Sequence, residues 1–152
     1  MADILDELIQ VTKALDEKGI EYAVCGGLAL SIHGFSRATF DIDILIREES
    51  LQKSFDVVKE YGYDIHGLDI SFKERAVEIR RVSRINEENE ILSLDFLLVT
   101  PFVEDVWNDR INVQMKDDLI SIVSLDGLVK MKTLAGRHKD LIDIDRIQNE
   151  ES

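Results

Sequence analysis

The order of hydrophobic patterns along the chain predicts one α/β (α+β) domain over residues 1–152, a mixed β-sheet flanked by helices. Apolar residues recur at helical spacing near both ends, and strand-like alternation fills the middle. A glycine pair, Gly26-Gly27, joins the first apolar strand to a helix. At 152 residues and 45% hydrophobic content, the chain has enough apolar material to bury one core.

Residues 3–18 place Ile4, Leu5, Leu8, Ile9 and Leu15 on one stripe, which predicts an amphipathic helix stopped by Gly19. Tyr22-Ala-Val-Cys25 reads as a short apolar strand, and Leu28 to His33 as a short helix ending at Gly34. In Phe40-Asp-Ile-Asp-Ile-Leu-Ile46 successive side chains alternate between faces. Asp41, Asp43 and Leu45 share one; Phe40, Ile42, Ile44 and Ile46 share the other. A helix over 49–61 ends at Gly62, and a loop or small strand follows near 65–70. Strands over 76–85 and 90–99 flank a turn at Asn86-Glu-Glu-Asn89. Pro101 opens a short helix reaching about Arg110. A second hairpin, 111–116 with 119–123, turns about Lys116-Asp117-Asp118, after which Ser124 caps a helix through Arg137 and a last helix covers 139–149.

Two features of this pattern carry chemistry. Gly26 and Gly27 lie between strand and helix, where the backbone can approach a polyphosphate without a Cβ in the way and N–H groups of the helix start can meet its oxygens. Asp41 and Asp43, one pleat apart, are spaced to share a metal ion on one strand face. Two carboxylates rarely suffice for a catalytic magnesium pair, so a third is expected from a neighbouring strand. Asp95 is the candidate: in Glu90 to Val99 it alternates against Leu92, Leu94, Phe96 and Leu98, and an acid in so apolar a run needs a cation or an ion-pair partner. That partner is either metal or a neighbouring Arg80 or Arg81. Magnesium takes oxygen ligands and is completed by substrate phosphates; two ions about 4 Å apart stabilise the attacking and leaving oxygens of an in-line displacement. Manganese suits the same ligands.

The sequence resembles the nucleotidyltransferase superfamily that includes DNA polymerase β and antibiotic nucleotidyltransferases. Within it, it is most similar to AbiEii-type abortive-infection toxins. The resemblance rests on Gly26-Gly27-Leu-Ala-Leu-Ser-Ile-His-Gly34, on Arg37-Ala-Thr39-Phe-Asp41-Ile-Asp43, on Asp95, and on Ser124 to Ile144, which looks like that group's carboxy-terminal helical signature. Many superfamily members carry Gly-Ser where this chain has Gly-Gly, so a hydroxyl that touches the triphosphate is missing. The resemblance implies a nucleotidyltransferase fold and transfer of a nucleoside monophosphate from a nucleoside triphosphate to an acceptor, with release of pyrophosphate. In that reading Asp41, Asp43 and Asp95 hold magnesium and Asp95 assists as general base. Gly26, Gly27, Arg37 and Thr39 bind the nucleotide, Lys132 reaches the triphosphate and Asp140 orients it or the acceptor. Arg37 and Thr39 have a second reading as residues pinning their loop, and Lys132 as a helical lysine reaching solvent.

The same resemblance implies a tRNA or other cellular acceptor, bacterial toxicity and an antitoxin partner, although the chain is about half the length expected of a full toxin of that kind. The alternatives are an antibiotic-type enzyme acting on a small molecule, and a non-catalytic nucleotide- or metal-binding protein. A formal charge of −13 disfavours nonspecific adhesion to nucleic acid and suits a cationic acceptor such as an aminoglycoside. Basic residues collect at Arg75, Arg80, Arg81 and Arg84, and at Lys130, Lys132, Arg137 and Lys139, two candidate patches or two solvated faces. The lone Cys25 lies in an apolar strand and reads as packing, the three scattered histidines as surface or packing residues, and no Cys/His cluster suggests zinc. No stretch approaches the ~20 apolar residues of a membrane helix. The acidic start is unlike a signal peptide, so a cytoplasmic protein without membrane contact is expected.

Overall fold

A computed structural model of the protein describes residues 3–35 and 41–151. Asp3 accepts a hydrogen bond from the Leu5 amide and so starts helix α1 (Ile4–Glu17), which buries Leu8, Val11 and Leu15. Strand β1 (Ala23–Cys25) runs directly into α2 (Gly26–Ile32), and β2 (Asp41–Ile46) follows. The helix thus begins at Gly26, two residues earlier than the apolar pattern implies, because glycine supplies the positive φ of +65° at the bend. A 3-10 turn leads into α3 (Leu51–Lys59), and then come β3 (Ile65–His66), β4 (Ile70–Phe72), β5 (Val77–Ile85) and β6 (Ile91–Leu98). A second 3-10 turn, started by Pro101, precedes α4 (Glu104–Asn108), the hairpin β7 (Ile111–Met115) and β8 (Asp118–Ile122), α5 (Leu125–Ala135) and α6 (His138–Glu151). Ser124 caps α5 by accepting the Gly127 amide, and Gly136 closes it at φ +62°.

The strands form one mixed sheet in the order β3-β5-β6-β2-β1-β8-β7, with β4 paired to β5 as well. Strands β2 and β6 are parallel, as are β1 and β8, whereas β1/β2, β5/β6 and β7/β8 are antiparallel. The expected segment near 65–70 is two short strands, because the nine residues of β5 give room for β3 opposite Val82 and Ser83 and for β4 opposite Val77 to Ile79.

One sheet face carries Ile42, Ile44, Leu94, Phe96 and Val82, all buried. Phe55 of α3 meets the Phe96 ring edge-on, and Glu7 of α1 pairs with Arg84 on this side, so both helices cover it. The other face bears the aspartates and lies opposite α5. Among the described residues, no helix is long and apolar enough to cross a membrane.

Candidate active site

Strand register brings the predicted carboxylates together. Cys25, Asp43, Asp95 and Arg81 occupy successive positions in one row across β1, β2, β6 and β5, with Asp43 directly opposite Asp95. Residues so paired in a ladder project from the same side. Asp41 follows two residues along the same face, opposite Ser93. The sequence signal for Asp95 was an acid in an apolar strand, and parallel pairing of β2 with β6 supplies its reason.

Gly26 belongs to this group for a specific steric cause. A Cβ there would lie 2.0 Å from Oδ2 of Asp43, so the carboxylate packs against the bare α-carbon and no side chain fits. Its φ of +65° independently favours glycine. The glycine expected to admit a phosphate thus first admits a carboxylate. Gly27, the next residue, is buried in the first turn of α2.

Arg81 holds Asp95 in a two-pronged clasp, donating from Nε to Oδ1 at 2.7 Å and from Nη2 to Oδ2 at 2.9 Å. The same guanidinium lies 3.8 Å from Asp41. The ion-pair reading of Asp95 is therefore realised, through Arg81. Among the described residues Asp43 has no such clasp, and its carboxyl is pushed up to about 7, first by removal from water and then by the charges of Asp95 and Asp41, against a smaller opposing pull from Lys139 and Arg137. Burial likewise pushes the Cys25 thiol up, in keeping with a packing role.

Asp41, Asp43, Asp95 and Arg81 line one cavity of about 130 Å³ together with Lys132 of α5, Arg137 of the turn after it and Lys139 of α6. Lys132 does not reach solvent: it is 6% exposed and donates to Asp143 at 3.0 Å, with Asp140 at 3.8 Å. Asp140, 1% exposed, also accepts from the Arg137 side chain at 2.6 Å and from its backbone amide. Asp140 and Asp143 therefore position cations at the cavity wall. The two basic clusters read from the sequence divide differently. Alternation along β5 turns Arg81 to the cavity and Arg80 and Arg84 to the opposite face, and Lys130 pairs with Asp105, so neither cluster is a single patch. His33 bonds the Val123 carbonyl and His66 packs on Phe55, both structural roles. Arg37 and Thr39 lie outside the described residues.

The donor set is suited to a hard divalent cation, because three carboxylates crowd one face and Asp43 resists ionisation there without a positive partner. As they stand, however, no group of three or more acidic, His or Cys side chains among the described residues is placed to hold a metal ion. Both oxygens of Asp95 are engaged by Arg81, which fills the place of a counter-charge.

Residues 7–147 match the model of the aminoglycoside-2''-adenylyltransferase family. No curated protein matches the chain in sequence. Solved structures share its fold. One, a Thermotoga maritima protein assigned to the nucleotidyltransferases, superposes with a TM-score of 0.65 at 14% identity over 97% of this chain and 93% of that one. The ANT(2'')-Ia complex with adenylyl-2''-tobramycin gives 0.63 at 12% identity over 99% and 91%. An antigenic nucleotidyltransferase-like protein of Paracoccidioides brasiliensis gives 0.59 at 18% over 93% and 75%.

Proposed function

The chain belongs to the aminoglycoside-2''-adenylyltransferase family of nucleotidyltransferases, and on that premise we propose that it transfers a nucleoside monophosphate from a nucleoside triphosphate to a hydroxyl of a small-molecule acceptor. The single observation that carries this reading is Asp43 opposite Asp95, with Asp41 on the same face and Gly26 against the Asp43 carboxylate. In the reaction the acceptor oxygen attacks the α-phosphorus, the bond from that phosphorus to the bridging oxygen breaks, and pyrophosphate leaves.

Asp41, Asp43 and Asp95 would hold magnesium, which when bound neutralises charge on the phosphates and the reacting oxygens. Asp95, released from Arg81, takes the acceptor's hydroxyl proton. Arg81, so freed, joins Lys132, Arg137 and Lys139 as cations beside the triphosphate, while Asp140 and Asp143 keep Lys132 and Arg137 in place. Gly26 and Gly27 keep the backbone at the bend free of side chains, and Arg37 and Thr39 precede β2 as nucleotide contacts. In this reading the enzyme works in the cytoplasm, where nucleoside triphosphates and magnesium are at hand.

The AbiEii-type reading, transfer to tRNA by a toxin held in check by an antitoxin, draws support from the Gly26–Gly34 and Ser124–Ile144 stretches. The family match favours the small molecule. One assay tests both. Radiolabelled triphosphates, magnesium and the protein are incubated with an aminoglycoside panel, other hydroxyl compounds and total RNA. Label on a small molecule, lost in Asp43→Asn, is the expected result, and label on RNA would replace it with the toxin reading. Triphosphate bound without transfer to any acceptor would leave a non-catalytic nucleotide-binding protein.

A further inference from the structure

The two edges of the sheet are finished differently. At one, β3 and β4 share the outer side of β5 as strands of two and three residues, and so short and broken an edge offers little to pair with. At the other, β7 runs for five residues in unbroken register with β8. It carries none of the usual guards. Ile111-Asn-Val-Gln-Met115 holds no charge, no proline and no bulge, in a chain of which 32% is charged.

The ladder shows which backbone groups of β7 point outward. The Ser121 amide donates to the Tyr22 hydroxyl and the Val123 amide to the Val24 carbonyl, so both turn toward the β1 side. Backbone groups alternate sides along a strand, so Ile120 and Ile122 turn to β7, and their partners Val113 and Ile111 turn to β8. Asn112 and Gln114 therefore face out. Each presents a backbone donor and acceptor that no described strand takes up.

We propose that this edge is an interaction surface for a second copy of the chain, whose β7 pairs with it antiparallel about a two-fold axis at Val113. The register is self-complementary. Asn112 of one copy faces Gln114 of the other, which satisfies the outward donors and acceptors of both residues in each copy. On the opposite face Ile111 meets Met115 and Val113 meets its own counterpart. At the ends Arg110 approaches Lys116, and each keeps an acid of its own chain, Glu21 at 3.2 Å and Asp6 at 2.5 Å. A symmetric contact requires one patch to fit itself, and the alternation of apolar and polar residues about Val113 does so; this favours a copy over an unrelated strand. A join of five residues is small and the charge of −13 on each copy opposes it, so the dimer is expected to form at roughly 100 µM.

Sedimentation equilibrium of the full chain over a concentration series reads the state directly. A reversible monomer–dimer equilibrium is expected, and a monomer up to about 1 mM overturns the proposal. Amide exchange at Asn112 and Gln114 should slow as the dimer fills; exchange that stays constant while the mass doubles places the interface elsewhere and overturns it too. Two double variants of these exposed side chains fix the register. Asn112→Lys with Gln114→Lys sets like charges opposite each other twice and should weaken the dimer about tenfold, although the overall repulsion falls. Asn112→Lys with Gln114→Glu sets opposite charges at the same places and should hold it at least as tightly as the parent chain. No weakening in the first, or loss of the dimer in a folded second, overturns the pairing. Neither residue lines the carboxylate cavity, so the label-transfer assay decides the enzyme without deciding the dimer.

Discussion

Arg81 and Arg84 stand on the same strand, each paired with a carboxylate that is 9% exposed, yet they serve opposite ends. Arg84 projects under α1, joins Glu7 there and lies over the Tyr63 ring at 5.5 Å, with its Nε buried and unbonded. Arg81 projects to the other face, 41% exposed, and grips Asp95 at the mouth of a cavity with two more aspartates close by. A helix closes one pair off from any competitor. A cavity leaves the other open to exchange, so the same guanidinium–carboxylate chemistry is structural on one face and replaceable on the other.

Substitutions on the two faces should therefore separate activity from stability, and the largest effect expected is on turnover. Asp43→Asn should lower label transfer by at least about a thousandfold while leaving the melting temperature unchanged or higher, since it removes a carboxyl that burial and two neighbours disfavour. A variant that kept its activity would break the comparison at its functional side. Gly26→Ala should cost both properties. The backbone angle alone is worth about 1–2 kcal/mol, and the new Cβ must expel the Asp43 carboxylate, so thermal melting and the transfer assay should fall together.

Arg84→Ala should destabilise the protein by about 3 kcal/mol, because Glu7 is left buried without its partner. Urea unfolding measures this, and residual activity of the folded fraction should be normal. Arg81→Ala should cost less stability and should raise magnesium affinity roughly tenfold, the worth of about 1.4 kcal/mol of lost competition. Calorimetric titration with magnesium reads it without any turnover, and an unchanged affinity would show the clasp to be as structural as its neighbour.

The remaining effect is read in stability alone, as pH dependence. The Asp43 carboxyl ionises near 3.8 in the unfolded chain and at about 7 in the folded one. Between those values the folded state binds the extra proton, so this group's contribution to stability declines as pH rises from about 4 to about 7 and stays at its lower level above. Metal-free melting curves across that window should show the decline. Asp43→Asn should flatten it.

Much of this architecture is written locally. The stripe of residues 3–18, the alternation of Asp41 and Asp43 against Ile42 and Ile44, and the breaks at Gly19, Gly34 and Gly62 each depend on neighbours a few positions away, and the elements form where those patterns place them. Asp95 was legible as well, since an acid in an apolar strand requires a partner. Arg81 was named only as one of two candidates for that partner, because alternation shows which residues share a face but not what stands across from it. Lys132 shows the same limit. Its helical position allows either solvent or burial, and only the packing of α6, with Asp140 and Asp143 beneath it, decides for burial.

By itself the sequence determined the kind of element at each stretch, the acidic face of β2 and the bend at Gly26, because side-chain periodicity and glycine's freedom act over a few residues. Tertiary structure alone decided that β6 lies beside β2, that Arg81 closes on Asp95, and that α5 roofs the cavity that the carboxylates line. Those outcomes depend on register and contact between segments distant in the chain, and they are settled by the joint burial of all the elements rather than by the pattern of any one.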